Sequence, residues 1–491
     1  MSLKEYQNFI NGKWLNASDN LRFNSIDPST EKEWCSAPES SPSDVDQAVL
    51  AAKEAFKTWS ISQAEERGHY LRLLGDKMLE HAEHLGRIET IDSGKLLIET
   101  TFQAKYMHDY YKFYNDQLLG MSNEKTVPNI DKESMIVTER YEPMGVLAFL
   151  LPFNSQSFLL TTKLAPALAA GCTCVIKSSE IAPAFLAEFG KLIEEIDLPR
   201  GVVNIIHGGV ACGQSLTSHK QINKVFFTGG TNTASHIIKN SSENFAQLNL
   251  ELGGKSAAIV FDDCDVENTL NNLITGVYSG NGESCISSSL CLLQENIYDE
   301  FMSKLIERVN QIQLGSPLEP TSNMGPLAHE KQVKFIEMQI AQSIDEGAEV
   351  LIGGKRAENL GSSLYFEPTI IACPDRSISS SRIELFGPVL SVIKFSTEEE
   401  AISIANDTEY GLSSGVFTES DEKSERVSKL IDAGIVFINC YRYISPHVSF
   451  QGRHHSGYGF ESSSDAIQTM QVRKSIWNST SRITEDPFKI R

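Results

Sequence analysis

Between residues 145 and 265, short apolar runs alternate with segments of helical periodicity, and this alternation constrains the fold more than any other feature of the chain. The apolar runs lie at residues 146–151, 174–177, 202–206, 225–227 and 257–261. Helical patterns separate several of them, for example at 158–170 and 182–196. Buried strands joined by helices of this length form right-handed β-α-β units and a parallel sheet. Ligands bind beyond the carboxyl ends of such strands, so polar residues there are candidates for a functional site.

The patterns on either side of this segment predict further α/β structure and one protruding pair of strands. Before it, the periodicity predicts a strand-like run at residues 6–14 and helices at 44–59, 65–89 and 102–115. After it, the patterns predict helices at 301–312, 331–344 and 398–406 and buried strands at 390–395 and 435–438. Polar alternation at 121–142 predicts an exposed hairpin, and the alternating stretch 467–477 is a candidate to pair with it.

Size and charge narrow the classes of protein to which the chain belongs. Its 491 residues exceed the size at which a single core keeps growing, so at least two domains are expected. A formal net charge of −21 argues against a nucleic-acid-binding or membrane-binding surface. The longest apolar region, near residues 146–153, is too short to span a bilayer, and the first residues show no signal-peptide pattern.

The cysteines indicate a cellular compartment but no metal centre. The nine cysteines are scattered, with no Cys-x-x-Cys pair and no cluster of zinc-binding spacing. We therefore predict no metal site. Unpaired cysteines are typical of a reducing environment, and we expect a cytoplasmic protein.

Polar side chains follow two of the predicted strands. Asn154 comes after the run 146–151, where a side-chain amide is able to donate to a developing oxyanion; a turn is the alternative role for an Asn near Pro. Lys177 is the last residue of the run 174–177, and Glu180 follows three residues later. They are suited to bind the two hydroxyls of an adenosine ribose, unless they form only a charged surface loop. A carboxylate in this place favours NAD over NADP.

A glycine pair follows a third strand. Gly229 and Gly230 come after the run 225–227 and before a helical pattern, which suits a pyrophosphate cradle at a helix N-terminus. The dinucleotide fingerprint Gly-x-Gly-x-x-Gly is absent, so a simple tight turn is the alternative.

One carboxylate and one thiol stand beside glycines in the middle of the chain. Glu251 precedes Gly253 and Gly254. Cys285 lies 34 residues after Glu251 and follows a Gly-Asn-Gly run. A thiol nucleophile and a carboxylate base suffice to form a covalent acyl-enzyme and then hydrolyse it. The alternatives are a buried small thiol and a surface carboxylate.

Together these residues resemble the NAD(P)-dependent aldehyde dehydrogenase superfamily over nearly the whole chain. The family's Glu-Leu-Gly-Gly-Lys signature is present at residues 251–255, and its nucleophile motif matches residues 282–285. The remaining matches are Asn154 to the Pro-Trp-Asn motif, Lys177 and Glu180 to Lys-Pro-x-Glu, residues 227–230 to Phe-Thr-Gly-Ser, and residues 384–388 to Glu-x-Phe-Gly-Pro.

The resemblance implies an α/β fold of the aldehyde dehydrogenase type. Its parts are a Rossmann-type cofactor domain, an α/β catalytic domain and a small β oligomerisation arm. We expect the cofactor domain at residues 1–120 and 143–253, the catalytic domain at 254–466, and the arm and tail at 121–142 and 467–491. A homo-oligomer, either a dimer or a tetramer, is therefore expected.

The resemblance also implies oxidation of an aldehyde to a carboxylic acid, with NAD favoured over NADP. Cys285 would be the nucleophile, Asn154 and the Cys285 N–H would bind the oxyanion, and Glu251 would activate water. The residues that the resemblance assigns to the cofactor are Lys177, Glu180, Phe153, Gly229, Gly230, Leu252, Glu384 and Phe386.

Some positions depart from the family pattern. Gly230 replaces the serine of the Phe-Thr-Gly-Ser turn, Glu283 replaces the common glutamine near the nucleophile, and Ala234 and Leu290 replace a glycine and an arginine. The late glycine-rich motif at residues 449–461 is altered at positions 449, 451, 454 and 460.

The substrate is less constrained than the reaction. Arg442 lies in the family's substrate-pocket region, where it would bind a carboxylate and favour a semialdehyde; a structural arginine is the alternative. Tyr443 and Phe450 would instead line an aromatic pocket.

Two other classes of protein remain open from the sequence. One is a binding or structural protein that keeps the fold without turnover, which the altered positions at 230 and 449–461 motivate. The other is an NAD-independent thioester or ester hydrolase built on the same cysteine.

Overall fold

The computed structural model describes residues 3–128, 134–481, 486, 488 and 489. Within these residues the strands are β1 (Lys4–Glu5), β2 (Asn8–Ile10), β3 (Lys13–Leu15), β4 (Arg22–Asp27), β5 (Lys32–Pro38), β6 (Glu124–Thr126), β7 (Met135–Pro143), β8 (Val146–Leu150), β9 (Thr173–Lys177), β10 (Val203–Ile206), β11 (Lys224–Gly229), β12 (Gln247–Leu252), β13 (Ala257–Val260), β14 (Leu290–Gln294), β15 (Glu349–Ile352), β16 (Thr369–Ala372), β17 (Val389–Phe395), β18 (Ser413–Phe417), β19 (Ile435–Ile438), β20 (Gly457–Tyr458) and β21 (Gln471–Ser479). The α-helices are α1 (Pro42–Trp59), α2 (Ala64–Glu80), α3 (Ala82–Ser93), α4 (Leu97–Gly120), α5 (Gln156–Ala170), α6 (Ala184–Glu195), α7 (Val210–Thr217), α8 (Thr231–Asn240), α9 (Val266–Tyr278), α10 (Tyr298–Val309), α11 (Glu330–Asp345), α12 (Ser379–Arg382), α13 (Glu398–Asn406) and α14 (Asp421–Leu430).

The larger sheet has eight strands in the order β20-β12-β11-β8-β9-β10-β2-β3. Its five central strands, β12 to β10, run parallel, as the alternation of apolar runs and helices predicts. Four of the five predicted runs are neighbours in this sheet, whereas the fifth, at 257–261, is β13 of the second sheet. The fifth central strand is instead β12, whose alternating Gln247, Asn249 and Glu251 give it no continuous apolar run.

Both faces of this sheet are buried, which explains the apolar runs of its strands β8 to β11. Leu147 and Phe149 of β8 face one hydrophobic core together with residues of α2 to α6. Val146, Ala148 and Leu150 face a second core with residues of α1, α7 and α8.

The second sheet has seven strands in the order β15-β16-β17-β14-β13-β18-β19. Six of them are parallel, and β15 pairs antiparallel at one edge. Ala257 and Ile259 of β13 face a core with α11, α13 and α14, while Ala258 and Val260 face a core with α9 and α10. The predicted second α/β unit is therefore present.

A three-stranded antiparallel sheet, β21-β7-β6, is formed by the segment that the sequence predicts to protrude. The register runs from Gln471 opposite Pro143 to Ser479 opposite Met135, so the predicted pairing of the two segments is confirmed from residue 471 onwards. Residues 129–133 of the predicted hairpin, and 482–485, 487 and 490–491 of the predicted tail, lie outside the described residues.

Each helix predicted from periodicity is present, with boundaries that differ by up to five residues, as for α4 against the predicted 102–115, and with one difference in number. The pattern at 65–89 is two helices, α2 and α3, because His81 between them leaves the helical backbone at φ −98° and ψ 11°. The apolar period continues across this break, so periodicity alone did not reveal it. Among the described residues, no helix combines the length and the apolar character needed to cross a bilayer.

The altered loop at 449–461 supports the strand that carries Glu251. Gly457 pairs with Glu251 across the antiparallel contact of β20 and β12. The buried Ser456 hydroxyl donates to the Gly253 carbonyl over 2.7 Å and accepts from the Gly411 N–H over 3.0 Å. Ser456 and Gly457, which match the family pattern, therefore connect this loop to the strand of Glu251.

Replacing Gly457 by alanine tests this support. Gly457 has a φ of +105°, and a Cβ on it would collide with the Leu250 carbonyl oxygen, whereas Gly347 has a φ of +103° with no atom within 4 Å of its Cβ position. In both variants the strain of the left-handed backbone lowers the free energy of unfolding by roughly 1–3 kcal/mol. We expect Gly457→Ala to lose about 1–3 kcal/mol more than Gly347→Ala, because β20 must move away from β12. Urea unfolding followed by circular dichroism measures both losses, and equal losses would contradict the proposed support.

Candidate active site

Two adjoining cavities lie at the carboxyl ends of the central strands of the larger sheet. One, of about 520 Å³, contains Cys285 and Glu251, and the other, of about 560 Å³, contains Lys177 and Glu180. The two share a wall formed by Pro152, Phe153, Thr228, Gly229 and Gly230. Every residue that the sequence assigns to catalysis or to the cofactor lines one or both cavities.

The second sheet brings the thiol to this place. Cys285 lies in the loop between α9 and β14, after a tight turn in which Gly280, Asn281 and Gly282 all have left-handed φ angles of 61–73°. Asn281 holds the turn, since its side chain donates to the carbonyl of Pro326 over 2.8 Å and accepts from the N–H of Gly325 over 2.8 Å. Such a backbone is costly for a non-glycine residue and persists only where the surroundings fix it.

Asn154 lies beside the nucleophile candidate. Its side-chain Nδ2 donates to the Glu283 carbonyl, two residues before Cys285, over 3.0 Å. Among the described residues, no group accepts from the Cys285 backbone N–H. An amide and a free N–H next to a thiol are the donors that stabilise an oxyanion formed on a carbon bound to that thiol.

The Cys285 thiol is protonated in this arrangement. Burial, Glu384 and Glu251 together raise the pKa of this thiol to about 12, against the opposing effect of Arg442. The thiolate is the reactive form of cysteine, so a cation or the neutral form of both carboxyl groups favours the reaction.

Glu251 is buried without a partner. Its side chain is 3% exposed, and neither carboxyl oxygen has a hydrogen-bond partner among the described residues. Burial and the nearby Glu461 hold the pKa of Glu251 well above its usual range, while Lys163 opposes them. Glu461 itself pairs with the fully buried Lys163 over 2.8 Å and accepts from the Thr162 hydroxyl over 2.7 Å.

Lys163 is not among the residues predicted from the sequence, although the sequence contains one signal for it. It is the only charged residue of α5, Gln156–Ala170, a helix that is otherwise buried and largely apolar. A charged residue with no exposed helix face must find a buried partner.

Glu384 lies opposite Glu251 in the same cavity. Its carboxyl Oε1 accepts from the Gly254 N–H over 3.2 Å, and a side chain on Gly253 would collide with that carboxyl group. Burial raises the pKa of Glu384 to about 7, while the Gly254 N–H and Lys255 oppose the shift. Burial in turn lowers the pKa of Lys255 to about 7.

The second cavity has the features of a dinucleotide site. Lys177 Nζ lies 3.8 Å from the Glu180 carboxylate and donates to the Ser178 carbonyl over 2.8 Å. The buried Thr228 hydroxyl lines both cavities and has no partner among the described residues. Helix α8 starts after Gly230 without a side-chain cap, so its first N–H groups are open to a phosphate.

Replacement of the family's serine by Gly230 is compatible with this site. A Cβ at Gly230 would have no neighbour within 4 Å, so the position opens onto free space. The loss of one hydroxyl leaves the helix N-terminus and the Thr228 hydroxyl in place as donors.

The residues predicted to bind substrate lie elsewhere. Arg442 donates to the carbonyls of Ser279 over 2.8 Å and Thr275 over 3.4 Å, and it does not line either cavity. Tyr443 is 74% exposed. Phe450 exchanges backbone hydrogen bonds with Glu461, which places it next to the Glu461–Lys163 pair.

Glu283, which replaces the family's glutamine, keeps a hydrogen bond in this position. Its side chain is buried, and one carboxyl oxygen accepts from the Ala328 N–H over 3.1 Å. Burial holds the pKa of Glu283 well above its usual range. A raised pKa favours the neutral carboxyl group, which resembles the amide that it replaces.

A thiol, an amide and a buried carboxyl group around one cleft are the groups of a cysteine-dependent enzyme. A sequence profile of the aldehyde dehydrogenase family matches residues 14–476. The chain is 42% identical to the (Z)-2-((N-methylformamido)methylene)-5-hydroxybutyrolactone dehydrogenase of Acinetobacter baylyi, with 100% of both chains covered. It is 37% identical to the peroxisomal aminoaldehyde dehydrogenase 1 of Pisum sativum, over 94% of this chain and 93% of that protein.

A solved structure agrees with these relatives. The crystal structure of Staphylococcus aureus betaine aldehyde dehydrogenase in complex with NAD+ matches with a TM-score of 0.96 at 33% identity, and the match covers 99% of this chain and 97% of that one. The chain belongs to the aldehyde dehydrogenase family. The family, the fold type and the oxidoreductase class that the sequence predicts are thereby confirmed.

Substituting Glu283 by glutamine tests its protonation state. The carboxyl group binds its proton more tightly in the folded protein than in the unfolded chain, so the wild type loses stability as pH rises from about 4.5, its value before burial, toward its raised pKa. Each unit of raised pKa corresponds to about 1.4 kcal/mol. We expect Glu283→Gln to melt at a higher temperature than the wild type at pH 8 and to lose this advantage toward pH 5.

Thermal unfolding between pH 5 and pH 8 measures the difference. Glu243→Gln, which removes an exposed carboxylate, is the matched control and should follow the wild type. Parallel curves for wild type and Glu283→Gln would show that Glu283 is ionised in the folded protein.

Proposed function

We propose that this protein oxidises an aldehyde to the carboxylic acid with NAD, through a thioester on Cys285. The observation that carries the proposal is the shared cavity in which Cys285, the Asn154 amide and the unpartnered Glu251 meet. The adjoining cavity, with Lys177 and Glu180, suits the adenosine end of a dinucleotide.

The first step forms a covalent bond between enzyme and substrate. The Cys285 thiolate adds to the aldehyde carbon and gives a thiohemiacetal. The Asn154 Nδ2 and the Cys285 N–H donate to the resulting oxyanion, a set of donors of which each contributes roughly 3–4 kcal/mol in comparable sites. When bound, NAD supplies the hydride acceptor that turns the thiohemiacetal into a thioester.

The second step releases the acid. Glu251 takes a proton from water, the resulting hydroxide attacks the thioester carbon, and the Cys285 thiolate leaves. A carboxylate whose pKa is raised by burial is a stronger base once it has lost its proton, which suits Glu251 to this role. The sum is aldehyde, water and NAD giving acid, reduced NAD and a proton.

Several residues are proposed to hold the cofactor. Lys177 and Glu180 bind the adenosine ribose hydroxyls, Gly229 and Gly230 let the pyrophosphate approach the start of α8, and Glu384 accepts from the nicotinamide ribose. The other proposed contacts are the apolar walls Phe153, Leu252 and Phe386. The NAD+ in the Staphylococcus aureus relative supports this assignment, and the preference for NAD over NADP is our prediction from Glu180.

The names of the relatives indicate a common reaction on different substrates. The name of the first relative gives a substituted hydroxybutyrolactone, which is uncharged and rich in oxygen. The names of the other two give aminoaldehydes and betaine aldehyde, which are positively charged. The Acinetobacter baylyi protein shares the most sequence of the three, which supports an oxygen-bearing substrate for this chain. Binding of a semialdehyde through Arg442, or an aromatic contact with Tyr443 or Phe450, stays a prediction.

We further propose a homo-oligomer in the cytoplasm. Strand β21 lies at the edge of its sheet among the described strands, and its Trp477 is 59% exposed. Exposed edge strands with apolar side chains are sites of pairing with another chain. Analytical ultracentrifugation distinguishes dimer from tetramer.

The decisive experiment is an assay of the purified protein with NAD and a panel of aldehydes. We expect absorbance of the reduced cofactor to rise, and we expect Cys285→Ala to abolish the rise because no thioester forms without the thiol. Cleavage of esters without NAD, and no reduction on any aldehyde, would support a hydrolase instead. Neither activity nor NAD binding would support a binding or structural protein.

The Glu251→Gln variant separates the two steps. The amide keeps the volume of Glu251 and cannot act as a base, so the thioester should form and then persist. We expect kcat to fall by about 10²–10⁴-fold while one equivalent of reduced cofactor per active site still appears in a rapid burst. Stopped-flow measurement with Glu243→Gln as the control tests this, and loss of the burst would contradict the role of Glu251.

The Glu180→Ala variant tests cofactor choice. Removing the carboxylate removes its repulsion of the 2′-phosphate of NADP, and one such interaction of about 1.4 kcal/mol corresponds to a tenfold change. We expect the ratio of kcat/KM for NADP to that for NAD to rise by about tenfold. An unchanged ratio would show that Glu180 does not contact the ribose.

A further inference from the structure

The segment that joins α3 to α4 contacts both loops of the proposed oxyanion site. The Lys95 side chain reaches the loop of Asn154, and the Gly94 carbonyl reaches the turn before Cys285. Asn154 follows β8 of the eight-stranded sheet, whereas Cys285 precedes β14 of the seven-stranded sheet. The two proposed oxyanion donors therefore come from different sheets, and a segment that contacts both loops helps to set the distance between them.

Lys95 is a buried cation that directs its donors at the loop of Asn154. The residue is 3% exposed. Its Nζ lies 2.9 Å from the Asn154 carbonyl oxygen, 3.1 Å from the Ser155 hydroxyl and 3.4 Å from the Gln103 side-chain oxygen. An ammonium group has three N–H donors, so these contacts use all of them. Lys95 therefore has no donor left for a ligand, and its contacts hold the backbone that carries the Asn154 amide.

Keeping this cation buried costs free energy. Burial lowers the pKa of Lys95, while Glu89 and Glu99 oppose the shift. A buried charge is weak evidence for stability, because well-packed apolar side chains of similar volume are often as stable or more stable. Buried ionisable groups with a shifted pKa are common at functional sites. Stability alone therefore does not explain why an ammonium group lies beside Asn154.

The start of α5, directly after this loop, is fixed from the same part of the chain. Ser155 precedes α5 and does not cap the helix with its side chain. Its hydroxyl instead donates to the Asn154 carbonyl over 2.5 Å. Glu89 of α3 takes the capping role, since its carboxylate accepts from the N–H groups of Gln156 over 2.9 Å and Ser157 over 3.4 Å. Helix α3 and the segment after it thus hold both Asn154 and the first turn of α5.

The turn before Cys285 is held by neighbours of Lys95. The Asn281 Nδ2 donates to the Gly94 carbonyl over 3.0 Å, and the Gly280 N–H donates to the carboxylate of Glu99 over 2.9 Å. One short segment therefore fixes the backbone on both sides of the oxyanion site.

We propose that Lys95 is a positioning residue of the oxyanion site, which holds the Asn154 backbone so that the Asn154 amide and the Cys285 N–H converge on one oxygen. The inference rests on the proposed aldehyde oxidation. Lys95 does not line either of the two cavities described above, so it acts through Asn154. Its effect is large because a misplacement of about 1 Å costs about 10²-fold in rate.

The first test is a double-mutant cycle on kcat/KM, with NAD in excess and the aldehyde of the panel that the wild type oxidises fastest. Asn154→Ala removes the amide and should lower kcat/KM by about 10²–10³-fold. Lys95→Met keeps most of the side-chain volume without its donors and should lower kcat/KM by about 10–100-fold. In the Asn154→Ala background the same change should cost less than about threefold, because the amide that Lys95 positions is already absent. Equal losses in the two backgrounds would overturn the proposal.

Two controls separate positioning from folding and from thiol reactivity. Lys112→Met removes an exposed lysine of α4 and should leave kcat/KM within about twofold of the wild type. Alkylation of Cys285 by iodoacetamide forms no oxyanion, so its rate in Lys95→Met should stay within about threefold of the wild-type rate. A fall in alkylation as large as the fall in oxidation would show that Lys95 acts on the thiol and would overturn the proposal.

The Ser155→Ala variant is a milder probe in case Lys95→Met does not fold. It removes a hydrogen bond to the Asn154 carbonyl and one of the three contacts of Lys95. We expect kcat/KM to fall by about fivefold, the size of one hydrogen bond, and we expect this loss to vanish in the Asn154→Ala background. The same loss in both backgrounds would contradict the proposed positioning.

A second test needs no turnover. The Asn154 Nδ2 lies 3.0 Å from the Glu283 carbonyl oxygen. In crystal structures of Lys95→Met, or of Ser155→Ala, we expect this distance to lengthen by about 1 Å, past hydrogen-bonding range. An unchanged distance would overturn the proposal. The expected displacement, together with a wild type that oxidises no aldehyde, would instead refute the proposed function.

Discussion

The passage from β12 to β13 through Gly253 and Gly254 is the constraint on which the site depends. Strand β12 belongs to the eight-stranded sheet and β13 to the seven-stranded sheet, and four residues join them. Gly253 has no room for a side chain because the Glu384 carboxyl group packs against it, and the Gly254 N–H donates to that group. The close approach brings the carboxyl ends of one sheet next to the loop that carries Cys285.

The same approach creates a poorly solvated site that favours the neutral forms of carboxyl groups. Burial raises the pKa values of Glu251, Glu283 and Glu384, and burial lowers that of Lys255. Hydrogen-bond donors such as the Asn154 amide are worth more in such surroundings than in water, because no solvent competes for the developing charge. Burial of these ionisable groups is unfavourable, and the same burial preorganises the site.

Substitutions that depart from the family pattern are absorbed by local contacts. Gly230 faces open space, Glu283 accepts a hydrogen bond in place of an amide, and the unchanged Ser456 and Gly457 of the altered loop hold the strand of Glu251.

The sequence by itself determined the parallel sheet and the residues at its carboxyl ends. Apolar runs separated by helices have one favourable arrangement, and that arrangement places Asn154, Lys177 and Gly229 at one edge. Only the tertiary structure decided which sheet each strand joins, as for 257–261, and which buried charges meet, as for Lys163 and Glu461 at 298 residues' separation. Local periodicity reports burial and backbone type, whereas partners distant in sequence are fixed only when the sheets and helices pack together.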